Sequence, residues 1–502
     1  MTRTFGRIAG ALLAVALLAT GCSSSDDEAS PSDNTATSTS TPANDGTNVD
    51  RTSRFAKADT FCEPATEKPA EAPTATDDGI TADAISITHI RVTLEDLEAL
   101  DFAIPIGDPV DQAKKFVGLV NGRCGGINGR KLELSLVEAP PLAPSGQDPA
   151  AVAQAACIKA TEDQDAVFAF SGSGWGGQGG ASCVTSAHDT VYLTTYNISQ
   201  EDLAGADNRL YSFTLSSADG LEYLARRVES KGLLEGKTIG VVMGDGPGDP
   251  EIVEQGLLDT LEELGVEVKR VSTIGCAGGN SCTAGVIESV QGMIADGVDV
   301  LFPLLNVISL PGYLNEMVTQ GVKPGQIQMY QSGYNAQSGD LVSSKILTFG
   351  GPEAGALYNG TLIVANGATG AFRLPGFKPD PYGAMCNREY QEAGGPKYSA
   401  VDPETNSAYG ATTGMCTFIR TIARAAEAAG PNPTREDLAA AMEGLGALAV
   451  GEEPLSFGPG KYTAPNQLYE MKFHYPCDPD KIPFDGMCII PEGDAFPIPT
   501  AG

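Results

Sequence analysis

The chain has 502 residues, 42 % hydrophobic and 19 % charged, with 60 glycines, 11 cysteines and 3 histidines. Acidic residues outnumber basic ones 64 to 32, a formal charge of −32, which excludes nucleic-acid binding by phosphate neutralisation and electrostatic anchoring on anionic lipid. The length suits two or three domains, the apolar fraction excludes disorder for most of the chain, and three histidines leave little room for a His-based metal site.

The first residues read as an address. Arg3 and Arg7 precede a twelve-residue apolar run over 8–19, too short to span a bilayer and suited to a signal peptide over 1–21. The run ends in Leu-Ala-Thr-Gly ahead of Cys22, which resembles the bacterial lipobox; that likeness implies lipidation of Cys22 and a cell-membrane anchor on the extracellular face. Residues 23–50 are almost wholly Ser, Thr, Asp, Asn, Ala and Pro, a composition that buries no core, and a disordered tether is expected over 22–78. With Cys22 set aside the cysteines are even in number and contain no C-x-x-C, so disulfides are expected rather than zinc or a thioredoxin motif. Cys276/Cys282 and Cys477/Cys488 enclose short Gly- or Pro-bearing loops and are expected to pair; Cys157/Cys183 and Cys386/Cys416 are further candidate pairs.

After Gly79 strand-length apolar runs alternate with helical segments. Strands are expected over 84–92, 131–137, 166–170 and 191–195. Asp108-Pro109 and Asp148-Pro149 open helices with an acidic N-cap and Pro at N1, and another helix reaches His188. A second series has strands over 238–243, 266–272, 300–305, 326–331 and 361–365, with helices over 250–264 and up to Asp296. Two βαβα series imply two doubly wound lobes, with ligands outside the carboxyl ends of the strands.

Residues 79–87 (GITADAISI), 121–131 (NGRCGGINGRK), 162–168 (EDQDAVF) and 455–460 (LSFGPG) occur in the order seen in the leucine/isoleucine/valine-binding type of periplasmic binding protein. The chain resembles that family over about residues 79–473. The resemblance implies a type I periplasmic-binding fold of two parallel-sheet lobes. Lobe 1 takes 79–212 plus 366–448, and lobe 2 takes 213–365 plus 449–498. Three crossings are implied near 212–217, 364–369 and 462–466, with hinge closure on a small ligand.

The glycine-rich loop from Ser171 through Ser173, Gly174 and Trp175 to Gly180 follows a strand and opens a helix. Its N–H groups are free to approach an anion, and the resemblance assigns the ligand carboxylate to it; a plain glycine turn is the other reading. Trp175, the single tryptophan, either lines the cleft or packs in the core. Tyr196 and Asn197 end the next strand. On the second lobe Asp245, Asn306, Gln331 and Tyr334 stand at or just after strand ends. The 245–249 loop lacks the remaining ligands of a calcium hand, leaving ligand contact or helix capping. The family's amine-binding acid aligns with Gly333, and no Asp or Glu lies between Gln326 and Ser338, which argues against an α-amino-acid ligand.

No G-x-S-x-G elbow or Walker A motif is present, and His89, His188 and His474 read as structural. A binder is therefore expected rather than an enzyme, with no cofactor and no metal. Its partners would be a small polar organic ligand (amino-acid-like or carboxylate) and an ABC permease. A ligand-sensing lipoprotein that signals instead of transporting is the alternative.

Overall fold

The structure, a computed structural model, describes residues 52–498 except 67, 70, 94–104, 141–146, 173–174, 178, 196–197, 247, 277–280, 449 and 451–453. Cys22, Ser173, Gly174, Tyr196 and Asn197 lie outside the described residues.

The first sheet is wholly parallel, in the order β2-β1-β3-β4-β5. Its strands are β1 (Ala84–Val92), β2 (Lys131–Ala139), β3 (Phe168–Ser171), β4 (Val191–Thr194) and β5 (Leu210–Ser212). Helices α1 (Pro109–Asn121) and α2 (Pro149–Thr161) start where the acid-proline pairs predict, with Asp108 and Asp148 accepting from the first-turn amides. Period-two alternation sends Phe168, Phe170, Val191 and Leu193 into one core and Ala169 and Tyr192 into another, so both faces of the sheet are covered.

The second sheet runs β14-β13-β10-β9-β8-β6-β7. Parallel strands β6 (Ile239–Gly244), β7 (Val268–Ile274), β8 (Val300–Leu304), β9 (Gln328–Ser332) and β10 (Leu362–Ala365) match the second series. The small strands β11 (Gly446–Leu448) and β12 (Leu455–Phe457) pair with each other. Antiparallel β13 (Gln467–His474), β14 (Cys488–Pro491) and β15 (Phe496–Pro497) complete the second sheet. Val242, Leu301 and Ile363 face one core and Val241, Phe302 and Val364 the other.

The chain passes between the two pairs of cores three times. Helix Ser217–Ser230 follows β5 but packs with the second sheet. Helices Pro381–Glu392 and Asn406–Ala428 follow β10 but pack with the first. The third passage leads from β12 into β13. First and third passages are bonded together, Ser212 N–H to Tyr462 C=O and Ala464 N–H to Ser212 C=O, each 2.8 Å. Lys461 pins the third, its Nζ donating to the carbonyls of Ser456, Thr463, Ala464 and Pro465 at 2.7–3.3 Å. Phe457 and Ala464 lie in the first lobe's core, so the stretch that was expected to enter lobe 2 after Leu448 joins it only from β13 onward.

All four expected disulfides form: Cys276–Cys282, Cys477–Cys488, Cys157–Cys183 and Cys386–Cys416. Cys386 and Cys416 are fully buried in the first lobe's core, where their bond ties helix Pro381–Glu392 to helix Asn406–Ala428. A fifth disulfide joins Cys62 to Cys124, and it belongs to a correction. The tether expected to reach Asp78 does not: residues 52–78 form a strap on the first lobe. Phe55 and Phe61 are fully buried in its core, Arg54 pairs with Glu427 at 2.6 Å, and Arg420 donates to the carbonyls of Phe55 and Lys57. Two buried phenylalanines, a disulfide and these hydrogen bonds together hold the strap in place, anchors that its polar composition does not announce. No helix among the described residues is long and apolar enough to cross a membrane.

Candidate functional site

A cavity of about 300 Å³ opens at the carboxyl edge of the first sheet. Each wall has a local cause. His89 lies toward the end of β1, where its ring stacks on Phe170 of β3 with centroids 4.9 Å apart and planes 4° from parallel. The entry to α1 brings Ile106, Pro109 and Gln112; the Gln112 amide donates to Ile106 C=O and Thr412 Oγ1, both at 3.0 Å. Gly172 and Thr195 close the ends of β3 and β4. The long helix Asn406–Ala428 presents Gly410, Gly414, Met415 and Phe418. A Cβ at Gly410 or Gly414 would meet no atom within 4 Å. These glycines, four apart and so on one helix face, hollow out that wall.

Among the described lining residues none carries a full charge. His89 is 1 % exposed, and burial, helped by Arg91, pushes its imidazolium down to about 4, so the ring is neutral at pH 7. Its Nδ1 has no hydrogen-bond partner among the described residues, and neither has the buried Oγ of Ser171. A buried polar atom left unpaired costs about 1–3 kcal/mol.

A larger cavity of about 890 Å³ meets the first at Gly410. It is lined from the first lobe by Tyr409 and Thr413 and from the second by Asp340 and Tyr469, so it lies between the lobes. Burial pushes the Tyr409 hydroxyl up to about 12, aided by Asp380.

The other expected site residues are placed elsewhere. Trp175 is a correction: only 7 % exposed, it packs in the core edge-on to Tyr192, with centroids 5.6 Å apart. The Tyr192 hydroxyl donates to its carbonyl. Gln331 is likewise internal, fully buried and donating to Pro303 C=O at 2.9 Å. Cys416 follows Met415 of the cavity wall but lines neither cavity; buried in the core and bonded to Cys386, it holds the helix that carries the wall. Asn306 caps a helix by accepting from the Ile308 and Ser309 amides. Asp245 accepts from Cys276 N–H at 2.6 Å and so braces the Cys276–Cys282 loop. Tyr334 borders a space of about 20 Å³ with Ser216, Gly333 and Asn366, and its hydroxyl donates to Asp249. Burial holds the Asp249 carboxyl above its usual range. An acid thus does reach the Gly333–Tyr334 turn, from the loop after β6 rather than from the turn itself. Sequence reading passed over His89, Gly410 and Gly414. The available signal was the glycines, since each costs a helix interior about 1 kcal/mol relative to Ala.

Two sheets with both carboxyl edges available, three passages and a cavity on one edge match what the sequence resemblance implies. A family model described as periplasmic binding protein matches residues 107–472. The chain belongs to the periplasmic binding protein family.

Solved structures with this fold include three solute-binding proteins. One from R. palustris, in complex with 4-hydroxybenzoate, is 14% identical with a TM-score of 0.56, over 82% of this chain and 97% of that one. A fatty acid ABC transporter substrate-binding protein from Thermomonospora curvata is 18% identical with a TM-score of 0.55, over 84% and 95%. A branched chain amino acid ABC transporter protein from Thermus thermophilus with bound valine is 13% identical with a TM-score of 0.54, over 82% and 97%. At these identities the likeness carries the fold of this periplasmic binding protein and not its ligand. Among curated proteins none matches the chain.

Proposed function

We propose that this protein is the lipid-anchored solute-binding component of an ABC importer, capturing a small organic molecule by cleft closure. The observation that carries the reading is the cavity at the carboxyl edge of β1, β3 and β4, which meets the larger cavity between the lobes at Gly410. Cavities of this size at strand ends hold small ligands. The relatives named above, bound to a hydroxybenzoate and to valine, support uptake of a small solute.

The anchor reading rests on Cys22 and the small residues before it. Cys22→Ser is expected to release the protein from the membrane fraction or leave it unprocessed; wild-type protein found freely soluble with an unmodified Cys22 would remove the anchor. For the ligand, the test is a thermal-shift screen over amino acids, small carboxylates, aromatics and ureas, because a molecule binding only the native state raises the Tm. A hit should then stimulate ATP hydrolysis by the cognate permease complex in vesicles. A hit that never does so would favour sensing over uptake.

A further inference from the structure

We propose that Cys157, Cys183 and His188 form a zinc site that opens when a dithiol reduces the Cys157–Cys183 disulfide, with Glu162 as the fourth ligand. None of the four lines either cavity, so the site is separate from the solute-binding reading.

Local geometry carries the inference. The two sulfurs and one imidazole nitrogen lie within 4.8 Å of one another, and two thiolates bound to one zinc stand about 3.8 Å apart. The turn from Cys183 to Ala187 is π-helical; its hydrogen bonds span five residues, which brings His188 back over Cys183. Thr190 Oγ1 holds the end of that turn by donating to the His188 carbonyl at 3.0 Å. Cys157 comes from the last turns of α2, and Glu162 caps the same helix. The Glu162 carboxylate is 3.6 Å from His188 Nε2, close to the roughly 3.4 Å between two tetrahedral ligands held about 2.1 Å from zinc. Both cysteines are buried, but the His188 side chain is 22 % exposed and gives the cluster a face to solvent.

In the disulfide neither sulfur is the thiolate that zinc requires. A dithiol attacks one sulfur, forms a mixed disulfide, and leaves as its own cyclic disulfide when its second thiol closes on the first. Two electrons thereby pass to the cysteine pair, which becomes two thiols. Zinc then displaces both thiol protons to solvent, and two thiolates, a neutral imidazole and a carboxylate surround the ion.

The test takes the mature protein, reduces it with dithiothreitol, desalts it under nitrogen and titrates it with Co²⁺ and then Zn²⁺. A thiolate-to-cobalt absorption band should appear in the reduced protein, be absent from the oxidised protein, and be bleached by Zn²⁺. His188→Ala should weaken Zn²⁺ binding at least tenfold. The double variant Cys157→Ser, Cys183→Ser should bind one equivalent fewer than the wild type. If that variant folds poorly, His188→Ala decides, with its disulfide-bonded fold checked before reduction. No band in the reduced wild type overturns the inference. So does an affinity that His188→Ala leaves unchanged, because the metal then sits on thiols of the other disulfides.

Discussion

Burial alters the protonation of His89 within the range of pH that denaturation experiments cover. Its native form takes a proton only near pH 4, whereas the unfolded chain takes one near 6.5. The stability that comes from keeping it neutral is therefore present above pH 6.5. It is lost as pH falls from 6.5 towards 4, by up to about 3 kcal/mol. We expect urea midpoints of His89→Phe to fall less steeply across that window than those of the wild type; parallel curves would clear His89 of the effect. Trp175→Ala is expected to cost about 3–5 kcal/mol of stability, as for a large core side chain, with ligand affinity nearly unchanged. A variant that is fully stable but no longer binds would return Trp175 to the site. Neither residue's setting was legible along the chain. The ring that covers Trp175 is Tyr192, one strand later, and the Phe170 beneath His89 comes from a neighbouring strand. Sequence alone shows glycines around the first and apolar residues around the second.

At the scale of elements, the parallel strands and the two acid-proline helix starts were readable because each follows from local periodicity or capping. β1 occupies the expected 84–92. The antiparallel additions and the strap were not readable. β13 alternates buried and half-buried residues and takes its place by pairing with β10 and β14, while the strap is decided by tertiary burial of Phe55 and Phe61. The disulfides give a ranked prediction. Cys62–Cys124 spans 62 positions and Cys276–Cys282 only 6, and the stabilisation grows with the loop closed. Replacing the first pair by Ala should cost about 3–4 kcal/mol and the second about 2 kcal/mol. The reverse order in denaturant melts would show that the strap adds little to the fold.

Across the whole molecule, the two series of alternating elements made the lobes legible, whereas the crossings were placed by the family resemblance. Lys461 holds one crossing in shape. Burial pushes its ammonium down to about 8, yet four carbonyl oxygens surround it. Lys461→Met would remove the donor those oxygens share, although Ala464 C=O keeps the Ser456 N–H; it should cost about 1–3 kcal/mol and quicken amide exchange at Ala464 and Ser212. Unchanged exchange at both would remove Lys461 from the hinge. The strap has a mechanical consequence of its own. It enters the fold through Arg54, clasped to Glu427 near the last turn of the long helix, while Gly414 faces the cavity roughly 20 Å back along the same rod, at about 1.5 Å rise per residue. A tug arriving through the strap would therefore load the first lobe's longest helix among the described residues. The strap's disulfide and its ion pair, Cys62–Cys124 and Arg54–Glu427, both end on the first lobe, so under the proposed cleft closure the second lobe would move clear of any load that the strap carries.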